Sequence, residues 1–247
     1  ILIGAERAVY EQTAATEGGW RGARAFKLVR KEAESAEITS FYLEPVDGGA
    51  VIAHQPGQYI GLRVVVNGLE QRRNYSLSAP ANGKSYRISV KREAGGKVSN
   101  HLHDQLHVGD TLELFPPAGH FTLQANAKPL VLISGGVGIT PTLPMLQAAL
   151  PTGREITFIH CARDRGVHAF REKIDALANS HEQLTRRYCY DQADAGDEVD
   201  AQGLLSTDRL AQWLPESRDA DVYFLGPRGF MRSVKQSLRE LGVPEAQ

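Results

Sequence analysis

The feature that most constrains the fold is a change of rhythm near residue 127 of this 247-residue chain. Upstream, short alternating or β-branched runs are broken by turn residues: Phe26 to Val29, Ile38 to Leu43, Tyr59 to Val66, Tyr75 to Ser78, Tyr86 to Val90 and Thr111 to Phe115. Runs of that length and spacing predict a small antiparallel barrel, interrupted by one helix at about Val98 to Gln105. Downstream, strand-like Leu130 to Ser134, Glu155 to His160, Leu184 to Tyr190 and Val222 to Leu225 alternate with helical stretches near 141–150, 168–179, 206–213 and 228–241. Alternation of that kind predicts a doubly wound parallel sheet covered on both faces. The expected division is therefore residues 1–22 as a lead-in, 23–126 as a β-barrel domain and 127–247 as an α/β domain.

Outside these domains the chain opens on an amphipathic helical pattern through Ile1, Leu2, Ile3, Ala8, Val9 and Tyr10, which reads as the end of a longer protein. Gly18, Gly19 and Gly22 around Trp20 read as a flexible joint. Asp191 to Asp200 is polar enough to be a mobile loop. No repeat or low-complexity tract is present. No apolar run approaches the roughly 20 residues that span a bilayer. A formal net charge of -1 gives no electrostatic reason to expect nucleic acid or an anionic membrane as partner. With only Cys161 and Cys189, a disulfide framework and a four-thiolate iron–sulfur cluster are both excluded, and a reducing cytosol fits best.

Five segments carry candidate chemistry. In Arg73-Asn74-Tyr75-Ser76, alternate residues share a face, so Arg73 and Tyr75 point one way and Ser76 the other. Arg73 offers forked donors to a pyrophosphate, Tyr75 a flat surface for a ring, and Ser76 a hydroxyl to a ring nitrogen. Pro56-Gly57-Gln58-Tyr59 puts a tight turn before a strand whose Tyr59 can flank the same ring. Gly95-Gly96-Lys97-Val98-Ser99 leads into a helix whose first amides suit an anion, although a glycine loop capped by Ser99 explains the same residues.

In the second half, Val131 to Pro141 reads as a buried strand, the glycine turn Gly135-Gly136-Val137-Gly138, and a helix beginning at Ile139-Thr140-Pro141. Thr140 is the expected N-cap and Pro141 the first helical residue, with Pro144 disturbing the first turn. The turn lacks the third glycine of the dinucleotide fingerprint. Gly226-Pro227 repeats the strand, turn, helix pattern at the last strand, and loops at the carboxyl ends of parallel strands are where ligands bind in open α/β sheets.

Taken in order, RNYS at 73–76, GGKVSN at 95–100, GGVGITP at 135–141 and LGPRGFM at 225–231 resemble the ferredoxin–NADP reductase superfamily over nearly all of residues 24–247. EPVDGG at 44–49, PGQY at 56–59, ISVKRE at 88–93, VSNHLHD at 98–104 and VHAF at 167–170 resemble flavohaemoglobins in particular. The opening twelve residues and GGWRG resemble the last globin helix and the linker after it. The resemblance implies an FAD-binding barrel followed by an NAD(P)H-binding domain, the reductase portion of a nitric oxide dioxygenase. NADH or NADPH would be the electron donor, and haem b would lie in a globin domain absent here and act as electron acceptor.

By motif match, Arg73, Asn74, Tyr75 and Ser76 hold the flavin with Tyr59 beside its ring, so Ser76 and Tyr59 are the residues expected to bear on the chemistry. Gly96, Val98 and Ser99 cradle the pyrophosphate. Gly136, Val137, Gly138, Ile139, Thr140 and Pro141, with Gly226 and Pro227, bind the nicotinamide nucleotide. None is a nucleophile or general base, which suits hydride transfer between cofactors. Two departures stand out. Leu225 replaces the family's usual Cys before Gly-Pro, and the family's terminal strand with its aromatic-Gly-Pro segment falls beyond Gln247.

Two other readings share these residues: a stand-alone flavin reductase or oxygenase electron-transfer component, and a nucleotide-binding module without turnover. Arg163 and Arg165 follow the second parallel strand, where a 2′-phosphate can sit, but solvated surface arginines account for them better. His101, His103, His107 and His120 fall in different elements without a ligand pattern, so no metal is expected.

Overall fold

A computed structural model describes residues 15–244, in which two compact units are distinguished. The amphipathic opening stretch lies outside the described residues.

The first unit comprises residues up to 33 together with 39–123. Its strands are β1 (Arg24–Ala33), β2 (Ile38–Pro45), β3 (Tyr59–Val66), β4 (Leu69–Ser76), β5 (Tyr86–Lys91) and β6 (Thr111–Leu114), in the order β4-β3-β6-β1-β2-β5. Pairing is antiparallel for β1 with β2 and β6, and for β3 with β4 and β6. The outer strands meet where Leu77 bridges Ile88 and the Ser78 amide donates to the Arg87 carbonyl, so the sheet curls toward closure as a barrel. Phe26, Leu28, Phe41, Leu43, Ile60, Leu62, Leu77 and Ile88 fill its interior and are fully buried.

Asn67 and Gly68 join β3 to β4 with both φ angles positive, at 51° and 78°, as the two-residue hairpin turn with the twist of its flanking strands requires. Helix α1 (Lys97–Asp104) lies between β5 and β6. It is held at its C-terminal end by the Lys31 ammonium, which donates to the carbonyls of Leu102, His103 and Leu106.

The glycine-flanked stretch expected to be a flexible joint is instead pinned. Trp20 donates its indole N–H to the Leu114 carbonyl and packs against Phe26 and Tyr86, with ring centroids 5.7 and 6.3 Å away. A Cβ at Gly18 would stand 2.5 Å from the Val51 carbonyl carbon, so that glycine is there for close backbone approach.

The second unit comprises residues 34–38 and 124 onward. Its strands β7 (Leu130–Gly135), β8 (Ile156–Ala162), β9 (Leu184–Tyr190), β10 (Ala201–Gln202) and β11 (Asp221–Leu225) form a parallel sheet in the order β10-β9-β8-β7-β11. Helices α2 (Ile139–Ala149), α3 (Arg171–Ser180), α4 (Thr207–Trp213) and α5 (Arg228–Glu240) alternate with the strands. β7 is buried along its whole length, as expected of a central parallel strand.

Two local expectations need correction. The polar segment 191–200 is not a free loop. Asp200 accepts from the Tyr188 amide and pairs with Arg187, Asp197 is buried, and Arg171 donates to the Glu198 carbonyl. Thr140 does not cap α2: a 3₁₀ turn over Gly136–Gly138 runs straight into a helix that starts at Ile139, and the Thr140 hydroxyl donates back to Val137. Pro141 thereby falls in the first turn, where a missing N–H costs nothing, and Pro144 lies inside the helix rather than at its first bond.

Candidate functional site

The β3–β4 register fixes which side chains of the first unit act together. Tyr59 pairs with Ser76, Ile60 with Tyr75, Gly61 with Asn74 and Leu62 with Arg73. Because faces alternate, Tyr59, Gly61, Asn74 and Ser76 share the outer face, while Tyr75 and Arg73 belong to the face of buried Ile60 and Leu62. Tyr75 packs against the barrel core, and burial pushes its phenol up to about 12, so it stays neutral. Arg73 is exposed and spends one donor on the Arg72 carbonyl.

The outer face is kept shallow by glycine. A Cβ at Gly119 would come 3.0 Å from the Tyr59 ring, and one at Gly61 would come 3.3 Å from Phe115. Tyr59 is fixed from below by a double backbone exchange with Ala118 at 2.9 Å.

Helix α1 begins at Lys97 with Gly96 as N-cap and no side chain capping it. The amides of Lys97, Val98 and Ser99 therefore have no intrahelical acceptor, the arrangement that suits an anion. Ser99 does not cap this turn; its hydroxyl donates to the Gly96 carbonyl and accepts from the Glu93 amide, bracing the glycine loop. A Cβ on Gly96 would stand 2.4 Å from that hydroxyl, so a side chain here would force Ser99 to turn away from the loop. The outer face of Tyr59, Asn74 and Ser76 and the uncapped helix end suit a flat ring and a pyrophosphate, but Tyr75 stands on the opposite face against the core, so it does not flank the same ring as Tyr59, as the sequence led one to expect.

In the second unit the sheet order reverses between β7 and β11, and both strands end in a glycine turn. That is the position where open α/β sheets bind ligands. Gly136 takes φ 53° with open space around it, and Gly138 sits so tightly on β11 that an added Cβ would fall 2.0 Å from the Leu225 carbonyl oxygen. Gly226 is equally restricted, with a Cβ meeting Phe230 at 2.6 Å and the Gly135 carbonyl at 3.1 Å. Pro227 opens α5 without a side-chain cap. Two backbone turns thus pack on each other and leave helix N-termini available to a nucleotide's phosphates. Leu225, half-buried, closes β11 opposite Ser134.

Next to these turns lies a polar cluster that sequence reasoning passed over. His160 is fully buried with Nδ1 2.8 Å from the Ser134 hydroxyl. His168 stacks on it with centroids 4.3 Å apart, and its Nδ1 lies 2.6 Å from the Tyr190 hydroxyl, to which Arg171 also donates. Burial depresses His160 to about 3, and burial followed by the neighbouring His160 and Arg171 holds His168 well below its ordinary value.

Both imidazoles are therefore neutral when folded and take protons only on unfolding, so their contribution is complete above pH 6.5 and lost as the pH falls toward their folded values. At pH 5 the His160 loss should be about 2 kcal/mol, with His168 acting in the same direction. Thermal unfolding between pH 7 and pH 5 is expected to show that loss, reduced in His160→Asn; a melting temperature flat across the range contradicts it.

Among the histidines named from the sequence, His103 hydrogen-bonds Val90 and Phe41 packs on its ring edge, which is a structural role. No cluster of three potential metal ligands occurs among the described residues. Arg163 is committed to Asp164 at 2.8 Å and Glu37 at 3.0 Å, and Arg165 is exposed.

Comparison with known proteins matches both units. Residues 25–123 match the oxidoreductase FAD-binding domain, and residues 132–236 match the oxidoreductase NAD-binding domain. A flavohemoprotein of Pseudomonas putida is 67% identical over all of this chain, which spans 63% of that relative's length. The flavohem-like FAD/NAD-binding domain of nitric oxide dioxygenase from Vibrio cholerae superposes with a TM-score of 0.84 at 37% identity, over 91% of this chain and 96% of that one. The flavohemoglobin of Malassezia yamatoensis, solved with bound FAD and heme, gives a TM-score of 0.86 at 27% identity, over 99% of this chain and 62% of that one. No helix among the described residues is long and apolar enough to cross a membrane.

Proposed function

Since the chain belongs to the flavohaemoprotein-type FAD- and NAD-binding oxidoreductases, we propose that it draws electrons from NAD(P)H and delivers them to the haem of a globin domain, in service of nitric oxide dioxygenation to nitrate in the cytoplasm. The observation that carries this reading is the pair of glycine turns seated on one another where the sheet order reverses. FAD, when bound, accepts two electrons as hydride and releases them singly.

The protein's own residues align and neutralise. Arg73 and the amides of Val98 and Ser99 take the flavin nucleotide's pyrophosphate, with Gly96 letting it reach the backbone. Tyr59, Asn74 and Ser76 line the face beside the ring, with Ser76 presenting a hydroxyl to a ring nitrogen, while Tyr75 on the opposite face anchors this strand in the barrel core. Gly136, Val137, Gly138, Ile139, Thr140 and Pro141, with Gly226 and Pro227, hold the nicotinamide nucleotide's phosphates and fix its approach. Leu225 contributes bulk where a thiol is usual, so no proton is available from that side chain.

NADH is the expected donor. A 2′-phosphate after β8 would meet the carboxylates of Asp164 and Glu37, and the guanidinium of Arg163 is already paired with both. Arg163→Ala should leave the ratio of kcat/KM for NADH and NADPH within about twofold. A collapse of NADPH use alone would show that Arg163 reads that phosphate.

The haem reading is tested by mixing the FAD-loaded chain and NADH with the ferric globin domain of the Pseudomonas putida relative, under argon, and following haem reduction. Reduction dependent on both FAD and NADH supports it. Flavin reduction without haem reduction would leave a flavin reductase in its place.

A further inference from the structure

One pair of reactive side chains takes no part in that account. Cys161 on β8 and Cys189 on β9 are direct partners in the parallel register. Residues so paired stand about 4.8 Å apart, inside the roughly 4.4–6.8 Å separation that a disulfide spans. Their side chains share one face of the sheet, near enough for each thiol to shift the ionisation of the other. Cys189 is buried, with its sulfur donating to the Gly203 carbonyl at 2.9 Å and the Arg209 guanidinium 3.8 Å away. Cys161 is only partly buried, which leaves the pair one side chain below the surface.

We propose that Cys161 and Cys189 are a redox-active dithiol that closes into an intrachain disulfide under a small peroxide.

The pair is electrically asymmetric. The adjacent Cys161, against the cost of burial and with help from the Arg209 charge, lowers the Cys189 thiol, whereas the adjacent Cys189 and burial raise that of Cys161. Cys189 is thus the sulfur that ionises first and Cys161 the one that stays protonated. In the first step the Cys189 thiolate attacks one peroxide oxygen, the O–O bond breaks and hydroxide leaves, giving a sulfenic acid. In the second the Cys161 sulfur attacks that sulfur, the S–O bond breaks, and water departs with the Cys161 proton. The two sulfurs lose two electrons in all, and the peroxide oxygens gain them.

The pair also sits at an informative height in the sheet. Gly135 pairs with Cys161, Cys161 with Cys189, and Cys189 with Ala201, so one row runs from the glycine turn after β7 to the β10 edge. Closing the bond draws Cys189 away from Gly203 and Arg209, which tie this row to the start of α4.

The test is intact and peptide mass analysis of the reduced, purified chain after hydrogen peroxide. The expected result is a loss of about 2 Da with no dimer, reversed by dithiothreitol. Trypsin should release residues 155–163 joined to 188–209, the two peptides that contain these cysteines. Independent addition of oxygen to either sulfur, an intermolecular link, or unchanged mass while a control protein thiol is fully oxidised would each overturn the proposal.

Discussion

Gly138→Ala is expected to slow NADH-driven flavin reduction by about 100-fold, the scale on which a displacement near 1 Å spoils alignment. The added methyl would lie 2.0 Å from the Leu225 carbonyl oxygen and 2.5 Å from its carbon, both backbone atoms that no rotamer change can move aside. The turn after β7 and the turn after β11 must then separate, and those are the turns on which a nucleotide would rest. Overpacking of this kind also costs about 2–3 kcal/mol of stability. Gly153→Ala, away from the nucleotide site, is the control: φ is 73° there and nothing lies within 4 Å, so only the strain of left-handed backbone, about 1 kcal/mol, should appear. Stopped-flow reduction and thermal melting of both variants check the difference. Equal, mild effects at the two positions would mean that the turns are not packed as described.

Arg154→Ala is the second large effect. This guanidinium is buried in the α/β unit, donating to the carbonyls of Lys128 and Gln124 and pairing with Asp221 at 2.8 Å. It joins the segment entering β7 to the start of β11, the two strands whose ends form the nucleotide site. Truncation leaves the Asp221 carboxylate with the Asn126 amide as its remaining donor and takes the guanidinium from two carbonyls, at a cost of about 3 kcal/mol. Arg154→Lys should recover little of it, because an ammonium cannot reproduce the planar fork. Urea unfolding measures both, and a loss below about 1 kcal/mol for the alanine variant would contradict the assignment.

The fold was largely legible because local pattern and tertiary demand agree. β7 is an unbroken apolar run and becomes the buried central strand, while Ile38 to Leu43 alternates and becomes a half-buried barrel strand. Periodicity says little about ends. The helix after Gly138 starts before Thr140 because the 3₁₀ turn continues into it, which outweighs the capping preference of threonine. Two-residue β10 is too short to leave a pattern, and segment 191–200 looked solvated because its carboxylates find partners far off in sequence.

At the site, glycine turns were visible as motifs, but the reason they must be glycine was not. Gly138 is excluded from substitution by a carbonyl on a strand some ninety residues later, a contact that only topology creates. The stacked His160 and His168 escaped notice because neither lies in a ligand spacing; alignment of His160 with Ser134 on adjacent strands is what brings them to the site. Cys161 and Cys189 lie 28 residues apart in sequence, and parallel register alone makes them neighbours.

The most direct test of the central claim is anaerobic mixing of the FAD-loaded chain with NADH, and separately with NADPH, while the visible absorbance of oxidised flavin is followed. Rapid bleaching by NADH, with NADPH slower, is the expected result. Flavin that binds yet stays oxidised with both nucleotides would contradict hydride transfer and reduce the chain to a nucleotide-binding module.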